Sequence, residues 1–118
     1  MQIQLNTDSH IAGSEALSAE VKSKTQAALK RFAERITRVE VHLGDLNSSK
    51  SGPDDKRCVV EARVAGLNPV SVSHQAPTLS LALDGSLEKM ISALGSALGK
   101  RDAVRRDTAG AAEDSADA

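Results

Sequence analysis

The stretch Arg31–Asn47, RFAERITRVEVHLGDLN, changes its hydrophobic period partway along. Leu29, Phe32 and Ile36 recur at helical spacing, and Val39, Val41 and Leu43 then alternate with Glu40 and His42 as in a half-buried strand. Neither Pro nor Gly separates the two patterns, so a long helix must turn tightly and feed a strand directly. Upstream, Ser14 is a suitable N-cap for that helix, which extends to about Arg35 with an apolar stripe of Leu17, Val21, Ala28, Leu29, Phe32 and Ile36. Met1–Leu5 reads as a first short strand with Ile3 and Leu5 inward, and Val39–Leu43 as the second.

Downstream, residues 44–56 are rich in Gly, Ser, Asn, Asp and Pro, the composition of an exposed loop. Arg57–Ala65 alternates as a third strand, with Cys58, Val60, Ala62 and Val64 on one face. A short turn at Gly66–Pro69 leads into a fourth, Val70–His74, and so brief a connection pairs these two strands antiparallel. A second helix starts near Pro77, with Leu79, Leu83, Leu87, Met90, Leu94 and Leu98 forming a continuous stripe that fades after Gly99. The order β-α-β-β-β-α, with one apolar stripe per helix and one apolar face per strand, predicts an α+β fold. Its four-stranded sheet carries both helices on one face and leaves the other in water. Residues 1–106 form the single domain, and residues 107–118 are expected to be a disordered acidic tail with nothing to bury.

The 118-residue chain is 40% hydrophobic but has one Phe and no Trp or Tyr, so Leu, Val, Ile and Ala must fill the core. Recognition of single strands by aromatic stacking is excluded on the same ground. The formal charge of −1 averages two unlike regions. Without the tail's four acids (Asp107, Glu113, Asp114 and Asp117), 15 Lys and Arg face 12 Asp and Glu, a formal +3. A mildly basic body of this kind admits a phosphate-rich partner. The lone Cys58 suits a reducing compartment. MQIQLNTDSH lacks the basic and apolar regions of a signal peptide, and no apolar run reaches membrane-spanning length, so a cytoplasmic location and no membrane partner are expected.

No nucleophile, base and orienting group can be placed together, and no glycine loop to cradle phosphate is present, so no catalytic residue and no small-molecule substrate is expected. His10, His42, His74 and Cys58 lack metal-ligand spacing, so neither a metal nor a cofactor is expected. His42 is placed beside Glu40 on the open sheet face and His74 at a strand end, both as ordinary surface histidines. Taking Leu17 as zero and roughly 100° per residue, the first helix's apolar stripe centres near 60°, with Arg35 near 0°, Lys24 near 340° and Arg31 near 320°. That basic line along one flank can supply phosphate donors at fixed spacing, or can be a solvated flank, which Glu20 on the same edge favours.

Five stretches together resemble the hibernation promoting factor / ribosome-associated inhibitor A family: MQIQ at the start, Ala16–Val21, RFAERITRVEVHL at Arg31–Leu43, DDKRCVVEARVAG at Asp54–Gly66 and ALDGSLEKM at Ala82–Met90. The resemblance spans about residues 1–100. It implies a double-stranded-RNA-binding-domain-like fold, and a partner in the small ribosomal subunit, whose rRNA would be bound in the decoding channel to silence idle ribosomes under stress or in stationary phase. The chain has the length of the short type. On that reading Lys24, Arg31, Arg35, Lys89, Lys100 and Arg101 are the RNA-binding residues.

Relatives carry more cations on the second helix, whereas this chain has Gly85, Ser92, Gly95, Ser96 and Gly99 there. Each interior Gly costs about 0.5–1 kcal/mol of helix stability. Fewer cations also release fewer counterions, giving weaker and less salt-sensitive binding. The competing reading is therefore a protein–protein module of the same fold with weakened RNA binding, forming a weak homodimer through the polar sheet face or the small-residue helix face. The pairs Lys56/Arg57 and Arg105/Arg106 rank below the six named residues: Asp54 and Asp55 can neutralise the first, and the second can complement a helix dipole.

Overall fold

The computed structural model describes residues 1–8, 11, 14–46 and 56–110, with the backbone alone for 101–110. The elements are β1 (Gln2–Thr7), α1 (Glu15–Ala28), a short 3-10 turn (Lys30–Phe32), β2 (Ile36–Asp45), β3 (Lys56–Val64), β4 (Val70–Ala76) and α2 (Leu79–Gly110). The α+β order is as expected, and the sheet order is β1-β2-β3-β4. β1 runs parallel to β2, whereas β2–β3 and β3–β4 are antiparallel. α1 packs on β1, and α2 packs on β3, β4 and α1. Both helices cover one face, where Val39, Val41, Leu43, Cys58, Val60 and Ala62 are buried.

The passage from helix to strand differs from the sequence expectation. α1 ends at Ala28, seven residues before Arg35. The chain then turns through bonds from Phe32 N–H to the Leu29 carbonyl (2.9 Å), Ala33 N–H to Lys30 (3.2 Å) and Arg35 N–H to Phe32 (2.9 Å). Each closes over three residues instead of four, so the chain tightens without Gly or Pro. Ile36, expected to close the helical stripe, is the first residue of β2. Strict alternation from Val39 would point it to the wet face, but the ladder shifts register between Ile36 and Arg38. The extra residue turns Ile36 back into the core, as a bulge does.

β4 extends to Ala76, and the turn before it places Gly66 at φ 82°, a conformation that glycine adopts without strain. Thr78 caps α2, its hydroxyl accepting from Leu81 N–H at 3.1 Å. Ala82, Leu83, Leu87, Met90, Leu94 and Leu98 are buried. α2 then continues to Gly110, so residues 107–110, expected in the tail, are helical, while 111–118 lie outside the described residues. At 32 residues the helix is about 48 Å long, and Leu98 is the last buried residue among those whose side chains are described.

Three small residues let the start of α2 sit close on β3 and β4. The buried Ser86 hydroxyl shares its hydrogen between the Ala82 carbonyl at 2.8 Å and the Cys58 carbonyl at 3.0 Å. Ala82 is fully buried. Gly85 lies directly under the imidazole of His74, and a Cβ there would fall inside the ring's van der Waals envelope. His74 is therefore a half-buried, helix-facing residue of β4 and not the surface histidine expected of a strand end. The bare backbone of Gly85 makes that packing fit.

Two outcomes follow from this packing. Gly85→Ala lowers the urea midpoint, because overpacking of about 1–3 kcal/mol exceeds the gain of about 0.5–1 kcal/mol in helix propensity. In a His74→Ala background the same change raises the midpoint. Burial pushes the Cys58 thiol up to about 11, with a Ser86 hydrogen bond partly opposing. At pH 8 it reacts with an aromatic disulfide reagent only through unfolding, so the labelling rate climbs with urea.

Candidate nucleic-acid interface

The two helices lie side by side and run in the same direction, as two contacts between them and a third just past the end of α1 show. The Ser80 hydroxyl donates to the Glu20 carboxylate at 2.6 Å. Lys24 Nζ donates to Asp84 at 3.0 Å and stands 3.4 Å from Glu20. Two turns further on, Arg31 Nη2 lies 4.0 Å from where a Cβ of residue 95 would be, so its guanidinium rests beside the bare backbone of Gly95. The same guanidinium stacks 4.7 Å from the centroid of the Phe32 ring.

These contacts divide the six expected RNA-binding residues. Lys24 belongs to an ion-paired clasp between α1 and α2. Its partner Asp84 is 60 positions away, which no helical wheel of α1 could reveal. Arg31 and Arg35 are not on α1 at all, since the helix has ended, so the basic line drawn at roughly 100° per residue does not exist as a helix flank. Both are exposed, Arg31 in the 3-10 turn and Arg35 just before β2. Lys30, which the wheel passed over, is exposed beside them. The signal for it was present in the KRF triplet, and the true helix end was needed to read it.

Lys89 donates to the Ser73 carbonyl on β4 at 2.8 Å and so leans over the sheet edge, away from α1. Lys100 is exposed one and a half turns beyond Gly95. Arg101, Arg105 and Arg106 are in α2, in the portion described by backbone alone. Lys30, Arg31 and Arg35 thus follow one another within the short turn after α1, and Arg31 is the one placed against α2. They also sit where the C-terminal carbonyls of α1 leave partial negative charge.

The open sheet face is polar, as expected. Arg38 donates to the Gln4 side chain and pairs with Glu40 at 3.1 Å, and His42 stands 3.4 Å from Glu40. Lys56 pairs with Asp45 at 3.6 Å, whereas Asp54 and Asp55 lie outside the described residues, as does His10. No group of His, Cys, Asp or Glu able to hold a metal ion occurs among the described residues. None of the described helices is long and apolar enough to cross a membrane.

The structure is a two-layer α+β scaffold, a four-stranded mixed sheet with both helices on one face. The chain belongs to the sigma 54 modulation protein / S30EA ribosomal protein family, whose model matches residues 4–102. The resemblance read from the five sequence stretches is to this same family. Among solved structures, the N-terminal domain of Thermus thermophilus Protein Y has 20% identity and a TM-score of 0.63, with 80% of this chain and 96% of that chain covered. A ribosomal subunit interface protein from Coxiella burnetii has 16% identity and a TM-score of 0.67, with 84% and 99% covered. These likenesses show the fold. Comparison with curated proteins finds no match.

The clasp gives a pH dependence of known sign. The Ser80 hydrogen bond, followed by Lys24, holds the Glu20 carboxyl below its ordinary value of 4.5. Its stabilisation is complete above that value and lost as pH falls through the lower folded one. Lys24 is raised above 10.5, first by its bond to Asp84, so its contribution persists at neutral pH and is lost only in strong base. Urea midpoints of the wild type therefore fall more steeply on acidification below pH 4.5 than those of Glu20→Gln.

Proposed function

We propose that this chain is a non-catalytic, cytoplasmic, ribosome-associated factor that binds small-subunit rRNA in the decoding channel and so inhibits translation on idle ribosomes. The observation that carries the reading is the family match over residues 4–102, which spans both helices as far as the end of the core stripe. The exposed turn of Lys30, Arg31 and Arg35 supplies the phosphate contacts, with Lys100 and Arg101 extending them along α2. Lys24 and Lys89 contribute less to RNA than to the fold, since each already holds two elements together.

A second reading, a protein-binding module with weakened RNA affinity, draws on those same two lysines. With both engaged internally, the helix surface offers fewer cations to phosphate. Sedimentation of lysate at low salt separates the two readings. Wild-type protein is expected to travel with ribosomes, and Arg31→Glu/Arg35→Glu to remain at the top of the gradient. With purified small subunits, replacing both arginines by Ala lowers the slope of log affinity against log salt by about 2. Lys24→Ala loses stability and largely keeps binding. Wild-type protein that stays away from ribosomes at low salt overturns the proposal.

A further inference from the structure

The sheet has two outer edges, and they are treated differently. At β4 the edge is guarded: Lys89 reaches across from α2 and occupies the Ser73 carbonyl. Charged side chains laid over a strand edge are a common defence against unwanted pairing. At β1 there is no such defence among the described residues. Gln2–Thr7 carries no charged residue, no Pro and no register shift against β2, and β1 is the first strand of the sheet order. In a parallel edge strand, alternate backbone N–H and C=O groups face outward and are available to a further strand.

That open edge fronts a groove. Between β1 and α1 lies an open cleft of ≈ 500 Å³, which takes in Ile3 and Leu5 of β1 and is walled by Ser14, Ser18 and Lys22 of α1. The three wall residues are four apart, so they follow one helix face. That face is the flank of α1 opposite the one that carries Glu20 and Lys24 to α2. Ile3 and Leu5 are only partly buried although they point to the helix side, leaving apolar area uncovered at the edge. Lys22 is exposed, is the one charged residue lining the cleft, and makes no ion pair among the described residues. An edge strand beside a helix, flanked by a mainly polar cleft that still offers Ile3 and Leu5, is an arrangement by which sheets accept an added peptide strand.

We infer that the β1–α1 groove is a docking site for an extended acidic peptide segment of a partner protein, which adds to the sheet as a fifth strand beside β1. Backbone bonds to Gln2–Thr7 supply affinity in this arrangement. Apolar side chains of the segment meet Ile3 and Leu5, and a carboxylate of the segment meets Lys22. The site is separate from the cationic turn at Arg31 and independent of the ribosomal reading.

The test uses the full chain, labelled with ¹⁵N, and synthetic eight-residue peptides that alternate valine with threonine and aspartate. The acidic peptide is expected to shift amides of Gln2–Thr7 and of the α1 face from Ser14 to Lys22, and to slow amide exchange in β1. A peptide with lysine in place of aspartate, and an acidic peptide N-methylated at alternate residues, bind at least about tenfold more weakly. Lys22→Glu, an exposed change that leaves the core intact, reverses the preference between acidic and basic peptides. Absence of shifts, shifts centred on the Arg31 turn, or equal binding of both charge types overturns the inference. So does the appearance of the same β1 shifts when the protein alone is concentrated, which would make a second copy the occupant.

Discussion

Close approach of α2 to the sheet is the constraint from which the other features follow. Phe32 is the one Phe, Tyr or Trp in the chain and sits in the turn after α1, so the core is built mainly of Leu, Val, Ile and Ala. Aliphatic side chains reach native packing density only if the layers come near each other. Ala82, Gly85 and Ser86 permit that at the start of α2, and Ser86 hydrogen-bonds the helix to the sheet. Once α2 is seated there, Asp84 and Ser80 fall beside α1, which fixes where Lys24 and Glu20 can go. The position of Gly95 beside Arg31 is set about three turns later by the same seating.

The strands, the α2 stripe and the fold class were legible because they depend on local periodicity, and each apolar face is written into consecutive residues. The end of α1 was not. Leu29, Phe32 and Ile36 are all buried, and their spacing is the same whether the backbone continues as an α-helix or tightens and bends into a bulged strand. Burial pattern alone cannot separate those two paths. The cationic site was half legible for a related reason: Arg31 and Arg35 are exposed as expected, but the wheel that linked them to Lys24 assumed a helix seven residues too long. The roles of Lys24, Lys89 and His74 come from partners on other elements, and such pairings leave no periodic trace.

The charges are correspondingly divided by task. Lys24, Lys89, Arg38 and Lys56 each bind to another element or to a neighbour on the sheet, and Lys30, Arg31 and Arg35 are exposed in the turn after α1. Surface pairs of this kind add little stability singly. Their larger effect is on the surface field: Glu20 and Asp84 offset Lys24 on the helix side, and Glu40 and Asp45 offset Arg38 and Lys56 on the sheet.

The parallel pairing of β1 with β2 has a consequence for the order of assembly. β2, β3 and β4 form a meander whose contacts are made between successive strands. β1 has β2 alone as its sheet neighbour, and reaches it only after the chain has passed through α1 and the turn. Closing that longer crossover costs more chain entropy before any ladder bond repays it. The first strand in chain order is thus the natural last to join the sheet, and the outer edge is completed only when α1 settles over it.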